Sequence, residues 1–89
     1  MKIYLYVETE ENDPGYGPEY PGELLGFDIL GVYADEKTAC RVFDVWAEAN
    51  EEAGENFIRR EVPGLLRCGA ITNEFALRTS RYVACKEVG

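Results

Sequence analysis

The segment ADEKTACRVFDVWAEANEEAG, residues 34–54, constrains the fold more than any other part of the chain. Within it Ala39, Val42, Phe43, Trp46, Ala49, Asn50 and Ala53 recur at three- and four-residue steps, which predicts a helix from about 36 to 53 with one stripe turned to a core. Asp35 stands where an N-cap carboxylate accepts first-turn amides, and Glu36 is favoured there by the helix dipole. Gly54 is placed to end the helix. A lone amphipathic helix cannot bury its own stripe, so the rest of the chain has to supply a covering sheet.

The flanking segments read as strands. In KIYLYVET, residues 2–9, Ile3, Leu5 and Val7 alternate with Tyr4, Tyr6 and Glu8, the period-2 pattern of a half-buried strand. The stretch ETEENDPGYGPEYPGE, Glu8 to Glu23, follows with six carboxylates and no basic residue. Its Asp13-Pro14-Gly15 and Tyr20-Pro21-Gly22 units are turn formers, so it is expected to be a connection of about a dozen residues between two strands. In ELLGFDILGVY, residues 23–33, Leu25, Phe27, Ile29 and Tyr33 are assigned to one face and Leu24, Leu30 and Val32 to the other. Gly26 and Gly31 mark a bulge or a close approach under the helix.

Beyond Gly54, NFIRREV is expected to be a third strand ending at the Val62-Pro63-Gly64 break, the alternative being that the helix runs on to that break. LLRCGAI has strand character, while Thr72-Asn73 before EFALR suggests one helical turn, and RYVACKEV, residues 81–88, alternates again as a last strand. The sum is an α+β fold, a small antiparallel sheet of three to four strands packed against one main helix in β-β-α-β-β order. With 89 residues and no internal linker, residues 1–89 form a single domain with one modest core.

Composition then narrows function. At 46% apolar and 12% aromatic residues the chain has the material to fold and is no disordered acidic tail. It lacks a run of about 18 apolar residues, so no membrane association and a cytoplasmic location are expected. Cys40, Cys68 and Cys85 are odd in number, widely spaced and without a CxxC pair, which predicts free thiols rather than a disulfide framework or a zinc knuckle. Histidine is absent, and with it the commonest general base, the Ser-His and Cys-His pairs and histidine metal sites. Phosphate-binding, dinucleotide-binding and calcium-loop motifs are also missing. Glu10, Glu11 and Asp13 are conceivable metal ligands, but seventeen acids in 89 residues make chance groupings common. The chain is therefore expected to be no enzyme and to carry no cofactor or metal.

The formal charge of −8 is unevenly placed. Through Glu55 fourteen acids face only Lys2, Lys37 and Arg41, a balance of −11, whereas the remainder carries +3. The acidic part would repel a phosphate backbone, so direct nucleic-acid binding is not expected. Arg59, Arg81 and Arg67 would make a basic patch if NFIRREV and RYVACKEV were neighbours; pairing with the acidic helix or keeping the sheet face soluble is the preferred reading.

The order of KIYLYVET, a turn-rich loop and LLGFDILGVYADEKTAC resembles small proteins encoded by phages and their bacterial hosts. Those open with a Lys-Ile/Val-Tyr strand and carry a Gly-Val-Tyr strand end before a helix beginning around Glu-Lys-x-Ala. The resemblance spans residues 2–9 and 24–43 and carries over no site residue. It implies a mobile-element setting, in which small acidic proteins bind host proteins, as anti-CRISPR and other anti-defence inhibitors do. A protein-binding inhibitor that occupies the basic, nucleic-acid-binding surface of a host protein or nucleoprotein complex is thus the leading expectation. The alternatives are an accessory or regulatory domain whose acidic surface is merely solvating, or a small-molecule-binding domain. The expected contact residues are Glu10, Glu11, Asp13, Glu48, Glu51 and Glu52 as one negative surface, with Tyr16 and Tyr20 as loop anchors, the equal alternative being that one or both tyrosines fold back over the sheet edge. Trp46 is assigned to the core, and oligomeric state is not fixed by the sequence.

Overall fold

The computed structural model describes residues 1–12, 23–54, 56–73 and 77–89. Strands β1 (Lys2–Asn12) and β2 (Glu23–Tyr33) precede helix α1 (Glu36–Ala53), and β3 (Phe57–Arg59), β4 (Leu65–Thr72) and β5 (Leu77–Glu87) follow it. All pairings are antiparallel, in the spatial order β2-β1-β5-β4-β3. The class and element order are the α+β arrangement expected, but the sheet has five strands rather than three to four. The third strand expected over NFIRREV shortens to the three-residue β3, and the strand-like LLRCGAI segment forms a full strand of its own, β4. Val62, Pro63, Gly64 and Leu65 turn the chain between them: Leu65 N–H donates to the Val62 carbonyl at 3.1 Å, and Gly64 sits at φ 89°, which a side chain would strain.

Helix α1 keeps its predicted ends because local chemistry sets them. Asp35 is extended, and its carboxylate accepts from the Thr38 hydroxyl at 2.7 Å and the Thr38 N–H at 2.9 Å. These bonds hold the Asp35 carboxyl below its ordinary pKa, the hydroxyl bond contributing most. Gly54 closes the helix at φ 75°, its N–H directed to the carbonyls of Asn50 and Glu51. The buried stripe, however, is Ala39, Cys40, Phe43 and Ala47, with Val42 and Trp46 half-buried, whereas Ala49 and Ala53 are exposed.

Beneath this stripe lie the central strands. Tyr6 of β1 stands opposite Val83 of β5, and both are buried under Phe43 and Ala47 in one core cluster. Tyr4, Tyr33, Phe57 and Leu66 close its margin. It is therefore the tyrosine side of β1, not the Ile3, Leu5, Val7 side, that faces the helix.

Two other expectations are corrected by register. The turn-rich sequence from Glu8 predicts a loop, yet β1 continues to Asn12, paired with β5 along its whole length. At the other end, Leu77 and Arg78 of EFALR belong to β5 rather than to a helical turn. Asn73 brackets this junction, its N–H donating to the Leu77 carbonyl at 2.9 Å and its Oδ1 accepting from Leu77 N–H at 3.0 Å.

In β2 the pairing with β1 slips twice, once between Tyr6 and Val7 and once between Glu10 and Glu11. The extra residues on β2 are Leu30 and Leu25, each next to one of the two glycines, so Gly31 and Gly26 do mark bulges. Each slip shifts the alternation by one residue. Leu24, Phe27, Ile29 and Val32 consequently share the face turned away from the helix, opposite Glu11, Thr9, Val7 and Leu5. A strictly alternating strand would have separated them as assigned from sequence.

Cys40 and Cys68 are buried and Cys85 is exposed, all as free thiols. Burial pushes the Cys40 and Cys68 thiols up, which withdraws their reactive thiolates. A thiol reagent applied to the native protein is expected to titrate one cysteine rapidly and the other two only after denaturation. Three rapid thiols would show that the packing around Cys40 and Cys68 is open in solution.

Candidate functional site

The helix side of the sheet is organised in cross-strand rows. One row runs Asp28, Glu8, Arg81, Gly69, Arg59 from β2 to β3. Asp28 and Glu8 are directly opposed like charges, an arrangement that costs stability unless a cation intervenes. Arg81 supplies it for Glu8, donating from Nε at 2.8 Å, and its Nη1 donates to the Tyr6 hydroxyl at 2.9 Å. The guanidinium also lies 4.8 Å from the Trp46 ring centroid and 5.6 Å from that of Tyr6. Burial works against the Arg81 charge, but the bonds to Tyr6 and Glu8 outweigh it and its pKa is raised. Burial likewise raises the Tyr6 hydroxyl pKa, with Arg81 opposing.

Trp46 is therefore half core and half clamp. Its ring stands edge-on to Phe57 at 5.3 Å and tilted against Phe43 at 5.6 Å, while the Arg81 cation occupies one face. Sequence periodicity placed it on the apolar stripe but had no means of pairing it with an arginine 35 positions away.

The acids expected to form one surface divide among three environments. Glu10 is exposed on the helix side of β1, in the row of Thr79, Ile71 and Phe57. Its neighbour Glu11 points to the other side of the sheet, as strand alternation requires, and pairs at 2.8 Å with Arg78. Arg78 is only 1% exposed, so this ion pair belongs to the interior. On the helix, Glu51 pairs with Arg59 at 2.9 Å, while Asp44 lies 3.6 Å from Arg59 and 3.3 Å from Arg67. The arginines of β3 and β4 thus neutralise one flank of α1. Glu48 and Glu52 are exposed and form no ion pair among the described residues. Asp13, Tyr16 and Tyr20 lie outside the described residues.

Exposed acids without an ion pair among the described residues include Glu48 and Glu52 at the C-terminal end of α1, Glu10 and Asp28 on the sheet, and, apart from these, Glu36 and Glu61. Asp28 was missed in the sequence because it sits inside an apolar strand. Its register opposite Glu8 brings it beside the acidic end of β1, where Glu8, Glu10, Gly26, Phe27 and Asp28 line a small depression of about 60 Å³. Between α1 and β4 two open grooves of about 770 and 760 Å³ meet at Arg67. The first carries Arg59, Arg60 and Arg67; the second mixes Lys37 and Arg41 with Glu36, Asp44 and Glu48. Among the described residues no group of three or more cysteines and carboxylates is placed to hold a metal ion.

Comparison with known protein families, curated proteins and solved structures finds no match to this chain.

Proposed function

We propose that the protein is a non-enzymatic binding module whose acidic helix end docks on the basic, nucleic-acid-binding surface of a larger partner, the mode of action of an anti-defence inhibitor. One observation carries this reading. Glu48, Glu51 and Glu52 crowd the C-terminal end of α1, where no basic residue occupies the last turn and the helix dipole disfavours negative charge. Glu51 is offset by Arg59; Glu48 and Glu52 are not. Charges held where they weaken their own helix are explained by a partner that supplies the missing cations. Exposed carboxylates one helical turn apart can accept bonds from its lysines and arginines, and complementary fields speed encounter.

The test combines Glu48→Gln, Glu52→Gln and Glu10→Gln, leaving the Arg-paired Glu8, Glu11 and Glu51 intact. The fold is expected to persist with unchanged or slightly higher thermal stability, since unfavourable charge is removed from the helix end. The parent should capture a nucleic-acid-binding protein from bacterial lysate in a salt-sensitive way, and the triple variant should associate with it more slowly and with weaker salt dependence. Equal association by parent and variant would leave the acidic surface with a solvating role only.

A further inference from the structure

Strand β2 is a sheet edge, and its exposed side chains are mostly large and apolar. Leu24, Leu25, Phe27, Ile29, Leu30 and Val32 are between 42% and 60% exposed. One side of β2 is bonded to β1, and no described strand pairs with the other. Sheet edges are ordinarily blunted by proline, lysine, inward charge, bulges or brevity; β2 is bulged at Leu25 and Leu30, and Gly26–Ile29 between them is regularly paired with β1. β2 has eleven residues, no proline or lysine, and one charge, Asp28, between Leu24 and Tyr33. By contrast the opposite edge, β3, is three residues long and carries Arg59.

We propose that β2 pairs edge to edge with β2 of a second copy, antiparallel about a two-fold axis, joining two five-stranded sheets into one. Three features select a second copy over another occupant. An antiparallel strand pair of identical sequence is self-complementary, so the contact closes as a dimer and leaves only the short β3 edges outside. The charge distribution permits it: in a chain of net charge −8, the 24–33 segment contributes a single carboxylate. The apolar pattern is continued across the joint. Leu24, Phe27, Ile29 and Val32 lie on one face of β2, and a two-fold axis perpendicular to the sheet sets the same four residues of the second copy beside them on that face.

Like-charge opposition sets the register. Pairing centred on Asp28 would place the two carboxylates across from each other, so the pair is centred on Phe27 or Ile29. The two-fold axis stands perpendicular to the joined sheet, which keeps both α1 helices on the same side. The dimer would then display two acidic helix ends in one direction, a bivalent arrangement. The β2 contact does not depend on what those ends bind.

Sedimentation equilibrium of the full chain over a wide concentration range tests this directly. The expected result is a species of twice the 10.0 kDa chain mass that dissociates on dilution. Ile29→Lys, which sets a charge on the exposed edge, should shift the protein to monomer with an unchanged circular dichroism spectrum. Val45→Lys, an equal charge change at a more exposed site on the helix, should leave the dimer intact. Phe27→Lys repeats the test should Ile29→Lys fail to fold. If neither folds, hydrogen exchange of the wild-type β2 amides decides, protection rising with concentration being expected. A monomer at every concentration, a dimer indifferent to both lysine variants, open-ended oligomers, or concentration-independent exchange would each overturn the proposal.

Discussion

Phe43→Ala is expected to leave the domain unfolded or barely folded. Phe43 is fully buried at the centre of the helix–sheet interface, against the cluster of Tyr6, Ala39, Ala47 and Val83. Removing a buried phenylalanine typically costs about 3–5 kcal/mol, because the transfer energy is lost and the cavity only partly collapses. A domain of this size has roughly 5–13 kcal/mol in total. The neighbours offer little relief, since Ala39 and Ala47 cannot extend into the space and Tyr6 and Val83 are fixed by the sheet ladder. Urea denaturation followed by circular dichroism measures the loss, with Val45→Ala on the exposed helix face as a control expected within about 0.5 kcal/mol of the parent. A Phe43→Ala midpoint close to that of the parent would mean that α1 does not pack on the sheet as described.

The second large effect is expected from Arg81→Ala, through a different mechanism. Arg81 joins Glu8, the Tyr6 hydroxyl and the Trp46 ring, and so bonds sheet to helix through a side chain only a quarter exposed. Its removal leaves Glu8 facing Asp28 without a cation and the Tyr6 hydroxyl without its partner. Because the pair is partly solvated, the cost should be about 2–3 kcal/mol, below that of breaking a fully buried pair. Arg81→Lys should recover little of it, since a point charge cannot reach Glu8 and Tyr6 while stacking on Trp46. Adding Glu8→Gln to Arg81→Ala should restore part of the loss by removing the stranded charge, giving a measurable coupling in a double-mutant cycle. Strict additivity of the two substitutions would show that they do not interact. Tryptophan emission offers a second readout, because the cation leaves the face of the only tryptophan.

These two residues also mark where sequence legibility changed. Phe43 could be read as core because helical periodicity and both caps are local: Asp35 needs only Thr38, and Gly54 needs only the preceding turn. The helix bounds, the strand character of both ends of the chain, the Pro63-Gly64 turn and the bulge-marking glycines of β2 all follow from interactions within a few residues. Strand number and length were less legible, because they depend on which partners the chain finds. Within the 65–79 region of mixed local signals, pairing with β5 makes Leu65–Thr72 a strand, and β1 extends to Asn12 because β5 lies alongside it.

The sequence by itself determined the α+β class, the element order, the single capped helix and the acidic bias of the first 55 residues. The tertiary structure decided which of those acids are charges presented to solvent. Glu11 is taken into the interior by Arg78, Glu51 and Asp44 are held by Arg59 and Arg67, Glu8 is held by Arg81 and Asp35 by Thr38, leaving Glu10, Asp28, Glu36, Glu48 and Glu52 without an ion pair among the described residues. It also decided that the tyrosine side of β1 meets the helix and that the apolar residues of β2 remain outside. The physical reason is the same throughout. Caps, turns and periodicity are set by neighbours along the chain, whereas charge compensation and the choice of buried face are set by cross-strand register, which brings together residues dozens of positions apart and which two one-residue slips in β2 were enough to alter.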